Sequence, residues 1–264
     1  MQLLTSLACA VAAAFLFAAI VAAARNDAWF AWIWHFLSHP ADRALAPLKQ
    51  RLLSSISGSV VELGAGIGSS VRYIDGSAVS ALFLVEPNVV MHDALRAVAR
   101  ASTVRRVEVI DARGEALPMM SGTVDVVFCV LTLCSVDDGA AVIAEVHRVL
   151  KPGGHFMFIE HVRSALPWVA LLQWAADSSR LYGLLSGGCH LHRDTATTLI
   201  SAVPPGGWAS IDVHHGHADV PFPLPLAWGT AKKGGVYRDA MPQTMRDGAV
   251  GRWRRRAVDV IPTT

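Results

Sequence analysis

The turn Glu62-Leu63-Gly64-Ala65-Gly66-Ile67-Gly68 carries the strongest chemical signal in this chain, three glycines and an acid at the end of an apolar run from Ser59 to Leu63. Glycines at a strand-to-helix turn let the backbone bend sharply and approach a ligand that a Cβ would block. A nicotinamide-dinucleotide fingerprint would need Gly or Ala at position 69, where this chain has Ser69. A second acid, Glu86, followed by Pro87, closes the next apolar run, Val79 to Val85. A carboxylate at that tip can accept hydrogen bonds from ribose hydroxyls. Together the two turns describe a site for a ligand with a nucleoside part.

Three histidines are candidate catalytic residues. His161 lies just past a later apolar run, and His190 and His192 lie in the segment GGCHLHRD, residues 187–194. A base in that region can take a proton from a weakly acidic group. Cys189-His190-x-His192 and His214-His215-x-His217 lack the regular four-ligand spacing of a zinc site, and no metal is expected. Of the remaining cysteines, Cys9 lies in the hydrophobic amino terminus and Cys129 and Cys134 in one apolar run, which is no disulfide framework and fits a reducing compartment.

Alternating strands and helices must position these residues. After Ser59–Leu63, helical signals run through about Ile74, and Met91 to Ala101 sets Leu95 and Val98 on one helix face and Arg96 and Arg100 on the other. Arg106 to Ile110 and Val124 to Leu131 read as the third and fourth strands. Ala140 to Leu150 reads as a helix stopped by Lys151-Pro152-Gly153-Gly154, and His155 to Glu160 as the fifth strand. Such βαβ units imply a parallel sheet. Residues 165–186 look helical, 187–194 form a loop, and two further strands are expected at Ala209–His215 and Leu226–Lys232.

Composition adds a membrane. Of 264 residues, 53% are hydrophobic and 17% charged, against about 25% charged in average proteins, which excludes disorder and nucleic-acid coating. No basic stripe lines the chain, and no nucleic-acid partner is expected. Met1 to Ala24 holds no charged side chain, and 24 helical residues reach about 36 Å against a hydrocarbon core of about 30 Å. The basic start of a cleaved signal is missing, so residues 1–24 are expected to be an uncleaved membrane helix. Trp29, Phe30, Trp32, Trp34 and Phe36 follow, so residues 1–36 are expected to meet membrane lipid. Arg25, Arg43, Lys49 and Arg51 all lie after the span, which places the folded part in the cytosol. The resulting division is an anchor at 1–24, an aromatic and basic juxtamembrane linker and helix at 25–55, a catalytic domain at 56–233, and a flexible Arg-containing tail at 234–264.

The assembled motifs resemble class I S-adenosylmethionine-dependent methyltransferases. The matching pieces are ELGAGIG, LFLVEP, GEALP, VDVVFCVLTLCSV, and EVHRVLKPGG before GHFMFIEH. A closer resemblance, through the hydrophobic amino terminus, LTLCSV, FIEHV and GC-x-L-x-R-x-T at Gly188–Thr195, is to membrane-anchored methyltransferase-like proteins that include the microsomal alkyl thiol methyltransferases. These resemblances imply an α/β, Rossmann-like seven-stranded, mostly parallel sheet with one antiparallel strand, flanking helices and a preceding membrane helix. They imply S-adenosyl-L-methionine as cofactor, a small apolar acceptor with an alkyl thiol favoured, and a cytosol-facing enzyme at the endoplasmic reticulum or lipid droplets. A lipid or quinone-type methyltransferase and an inactive cofactor-binding scaffold are the alternatives. Carried over by position, Gly64, Gly66 and Gly68 would pass under the methionine moiety, with Glu62 steadying the loop. Glu86 and Pro87 would lie at the ribose, Gly114 and Glu115 beside the adenine, and Leu131 and Thr132 would face the sulfonium. Arg113-Gly114-Glu115 departs from the family's usual Asp-Ala-Glu, which leaves open which acid, Asp111 included, meets the adenine amine.

Overall fold

The computed structural model describes residues 27–204, 207–217 and 225–235. It opens on helix α1 (Asp27–Leu53), whose buried Ser38, Asp42, Leu45, Lys49 and Leu53 recur at spacings of three and four and so share one face. That face packs on the domain, because Leu53 belongs to one core cluster and Leu45 to another.

Seven strands follow: β1 (Gly58–Leu63), β2 (Val79–Val85), β3 (Val107–Ile110), β4 (Val124–Val130), β5 (Leu150–His161), β6 (Trp208–His217) and β7 (Pro225–Lys233). Their order in the sheet is β3-β2-β1-β4-β5-β7-β6. Neighbouring pairs from β3 to β5 are parallel, and β7 runs antiparallel to both β5 and β6. The strand order reverses between β1 and β4, which makes the carboxyl ends of these strands a topological switch point where ligands bind in such sheets. Two cores sandwich the sheet. On one face Val61, Leu63, Val127 and Phe156 meet Val142, Ile143 and Val146 of α3 (Gly139–Val149). On the other, Val60, Leu82, Leu84 and Phe128 meet Leu95 of α2 (His92–Ala101). Strands filled on both faces explain the near-continuous apolar runs.

Several boundaries differ from the sequence expectation. The helix expected to run to about Ile74 shrinks to a single 3-10 turn, Val71–Tyr73. The segment Lys151 to Gly154 stops α3 but lies inside β5, which begins at Leu150 with an irregular register against β4. The helix expected over 165–186 is two, α4 (Pro167–Ser178) and α5 (Leu181–Leu185), broken where Arg180 takes a left-handed φ of 57°. A short α6 (Thr195–Ser201) follows the 187–194 loop. No helix among the described residues is long and apolar enough to cross a membrane. The anchor expected at 1–24 and nearly all of the tail at 234–264 lie outside the described residues.

Candidate active site

Gly64 and Gly66 both have positive φ, 63° and 56°. A Cβ on Gly64 would lie 2.5 Å from Oγ1 of Thr132, and one on Gly66 would lie 3.1 Å from Nε1 of Trp34 on α1. The turn after β1 is therefore pressed between the tip of β4 and α1 with no room for a side chain. The third glycine also serves packing: a Cβ on Gly68 would meet Leu95 and Val98, so Gly68 lets α2 approach the turn.

Glu86 closes β2 and is buried. Its Oε2 accepts from the Gly66 amide and its Oε1 from the Asn88 amide, each at 2.8 Å. Burial raises its pKa, and those two bonds offset part of the rise. Two accepted bonds leave lone pairs for ribose hydroxyls, since an ionised carboxylate has about four acceptor positions. Pro87 beside it is exposed. Asn88 Nδ2 donates to the Asp27 carbonyl at 2.9 Å and so ties α1 to this tip.

Glu62 is buried, and its Oε2 has no hydrogen-bond partner. Desolvation is the main cause of its pKa rising to about 7. Lys49 faces it from α1, donating to Asp42 at 2.8 Å and to Ser69 at 3.1 Å, and burial lowers its pKa to about 8. These groups line a cavity of about 20 Å³ together with Gly64, Ser70 and Leu131. The orphaned Glu62 oxygen leaves an acceptor for one donor group of a bound polar ligand, and the cavity beside it is the size of a single water molecule.

After the third strand, Glu115 joins a local network. Its Oε1 accepts from the amides of Asp137 and Asp138, at 3.2 and 3.4 Å, and its Oε2 faces Arg113 at 3.6 Å. The place a Cβ of Gly114 would fill abuts Val142 of α3. Asp111, just after β3, is exposed.

The tip of β4 is fixed by one carboxylate. Leu131 takes a left-handed φ of 56°, an uncommon conformation for a branched residue. Its amide bonds the Ile159 carbonyl at 2.8 Å, and the chain turns so that Thr132 Oγ1 donates to the Leu63 carbonyl at 3.0 Å. Glu160, fully buried at the end of β5, accepts from the amides of Thr132 and Leu133 at 2.9 Å, of Cys134 at 3.2 Å, and from the Cys129 thiol at 3.2 Å. Sequence reasoning missed Glu160 because it reads as the polar end of a strand.

The three candidate histidines separate. His190 is exposed, with its amide donating to the Cys134 carbonyl at 2.7 Å, and His192 is held through its amide by Asp177 at 2.9 Å. His161 instead lies with Nδ1 3.7 Å from Cys189 Sγ, and Cys134 completes a group whose ligand atoms all fall within 4.8 Å. The Cys134 thiol donates toward Cys189, which raises the pKa of Cys134 and lowers that of Cys189. The loop carrying Cys189 is clamped to the tip of β4 by Arg193, whose guanidinium donates to the carbonyls of Leu133 and Val136 at 2.5 and 2.6 Å.

A methyltransferase-domain family profile matches residues 61–158, from β1 into β5. The human thiol S-methyltransferase TMT1A is 30% identical over 212 residues, covering 76% of this chain and 81% of that protein. The chain belongs to the class I S-adenosylmethionine-dependent methyltransferases. A dimethylglycine N-methyltransferase from Parasynechococcus marenigrum is also 30% identical, over 155 residues and 55% of each chain. Among solved structures, an S-adenosylmethionine-dependent methyltransferase from Mesorhizobium loti superposes with a TM-score of 0.54 at 20% identity, over 72% of this chain and 98% of that one. That likeness shows the shared fold. For this methyltransferase the methyl donor is S-adenosyl-L-methionine and the acceptor a small molecule.

Proposed function

We propose that this methyltransferase transfers a methyl group to the sulfur of a small, apolar alkyl thiol at a membrane surface. When bound, S-adenosylmethionine supplies an electrophilic methyl carried on a sulfonium. Glu86 would accept from the ribose, and the Gly64–Gly66 turn would pass beneath the methionyl chain. The unpartnered Glu62 oxygen and Lys49 would meet its ammonium and carboxylate. Either Glu115, whose Oε1 already accepts two backbone amides, or the exposed Asp111 would take the adenine amine. Leu131 and Thr132 would line the path of the methyl.

The observation that carries the thiol reading is the chemistry of the loop facing β4. Its Cys189 meets Cys134 from the β4 end and His161 from β5 among apolar side chains, while the nearby cations are occupied: Arg193 holds two carbonyls and Arg163 pairs with Asp194 at 3.6 Å. An acceptor such as dimethylglycine carries a carboxylate that would need such a cation. The thiol S-methyltransferase relative, matched over more of both chains than the dimethylglycine enzyme, supports the same choice. Of the three histidines, His161 is the one seated among these groups.

Membrane association rests on apolar surface as well as on the chargeless residues 1–24. Trp32 and Phe36 on α1 and Trp168, Leu171, Leu172 and Trp174 on α4 are all more than half exposed. Exposed apolar stripes with indole rings suit a headgroup boundary. The folded domain would face the cytosol, at the endoplasmic reticulum or lipid droplets. Incubation of the full-length protein with labelled S-adenosylmethionine and panels of thiol, phenol, lipid and glycine-type acceptors tests the assignment; the thiols should be labelled first.

A further inference from the structure

Cys134, His161 and Cys189 lie 27 and 28 positions apart in the sequence, in three different elements, yet their ligand atoms fall within 4.8 Å of one another. Cys134 follows β4, His161 ends β5, and Cys189 sits in the loop before α6. Each is separately held. Glu160 accepts from the Cys134 amide, β5 is paired with β7 through His161 opposite Leu226, and the 187–194 loop is pinned by Asp177, Arg193 and the bond from His190 to Cys134. A cluster assembled this firmly from distant positions is a preformed site rather than a chance approach of side chains.

We propose that these three side chains bind a divalent cation of the zinc class, with an open fourth position that takes the acceptor thiol. The proposal rests on the thiol reading above. Two thiolates and an imidazole are the donors such a borderline-soft ion prefers. Bond lengths of about 2.3 Å to sulfur and 2.0 Å to nitrogen put a sulfur and a nitrogen about 3.5 Å apart at a tetrahedral centre. Cys189 Sγ and His161 Nδ1 stand at 3.7 Å. The group holds three His, Cys, Asp or Glu ligands among the described residues, and three protein ligands with one open position is the pattern of catalytic rather than structural zinc.

The position also suits the reaction. Cys134 is two residues past Thr132, whose side chain touches the place a Cβ of Gly64 would occupy. An acceptor sulfur joining the cation would release its proton to solvent and stay a thiolate at neutral pH. Its lone pair would form the new S–C bond as the donor's S–C bond breaks, that electron pair returning to the donor sulfur. The neutral thioether product is a weaker ligand and would leave.

Metal analysis of the full-length protein, purified under reducing conditions in detergent, should find about one zinc per chain. Cobalt(II) exchanged into the site should give thiolate-to-cobalt charge-transfer absorption, and added butanethiol should intensify it. Cys134→Ser, Cys189→Ser and His161→Ala should each retain under a tenth of the metal, while His190→Ala retains it. Calorimetric binding of S-adenosylmethionine to each variant checks that it is folded. Thiol methylation by a protein that holds no zinc and binds no cobalt would overturn the site and leave the thiol reading intact. A cobalt spectrum unchanged by butanethiol would overturn the open position. Bound metal whose spectrum responds to butanethiol, without methylation of any thiol, would support the site and sink the thiol reading instead.

Discussion

The amide nitrogen of Gly66 lies 2.8 Å from Oε2 of Glu86, which ties the turn after β1 to the tip of β2. One carboxylate thereby shapes the glycine turn and presents itself to the ligand. Glu86→Ala should lower affinity for S-adenosylmethionine at least about 100-fold, consistent with losing hydrogen bonds to a charged group at about 1.5–3 kcal/mol each. It should also lower the melting temperature by several degrees, because the amides of Gly66 and Asn88 lose their acceptor. Isothermal titration with thermal unfolding checks both effects, and unchanged affinity would contradict the ribose role.

Glu160 should be the most costly single carboxylate to alter. Glu160→Gln keeps one acceptor oxygen but turns an amide NH2 toward the Cys134 amide, which the second oxygen now accepts. Breaking a buried charged network costs about 3–5 kcal/mol, or roughly 6–20 °C in a domain of this size. Differential scanning calorimetry measures it; a shift under about 2 °C, less than a single kcal/mol produces, would mean that the β4 tip is held by something else.

The sheet was legible because strands buried on both faces leave apolar runs of fixed length, and the glycine turn was legible because close approach admits only glycine. A Cβ on Gly68 would also meet Leu95 and Val98 of α2, a packing constraint that spacing along one chain does not reveal. In place of the helix expected after Gly68 there is the 3-10 turn Val71–Tyr73, with Val71 and Ile74 buried beside Leu53 of α1 and Val60 of β1. The Cys134–His161–Cys189 group was invisible for a simpler reason. Its members lie on separate elements, so the local C-H-x-H pattern drew attention to His190 and His192, of which the first is exposed to solvent.

Stability of the ligand-free protein should fall as pH rises from about 4.5 to about 7. Over that range the folded chain holds a proton on Glu62 that the unfolded chain has lost, so ionising it works against folding. Lys49 acts oppositely at higher pH: its pKa is lowered to about 8, so stability recovers as pH rises from about 8 toward 10.5. Glu62→Gln should flatten the first slope without removing it, because Glu86 and Glu160 are also raised by burial. Melting temperatures from about pH 4.5 to about pH 10 for both proteins make the comparison, and identical slopes would contradict the buried ionisation of Glu62.

The exposed stripe on α4 should contact lipid. Trp168→Glu with Leu171→Glu, both on the exposed surface, should reduce recovery on liposomes several-fold in flotation while leaving S-adenosylmethionine affinity unchanged. Equal flotation of variant and wild type would mean that residues 1–36 act alone or that the surface meets something else.

The proposed function turns on the identity of the acceptor atom. Full-length protein in liposomes, given methyl-labelled S-adenosylmethionine with butanethiol and dimethylglycine in competition, reads it by mass spectrometry of the products. The labelled methyl should appear as butyl methyl sulfide, with none on nitrogen. Label on the amine, with the thiol untouched, would contradict thiol methylation.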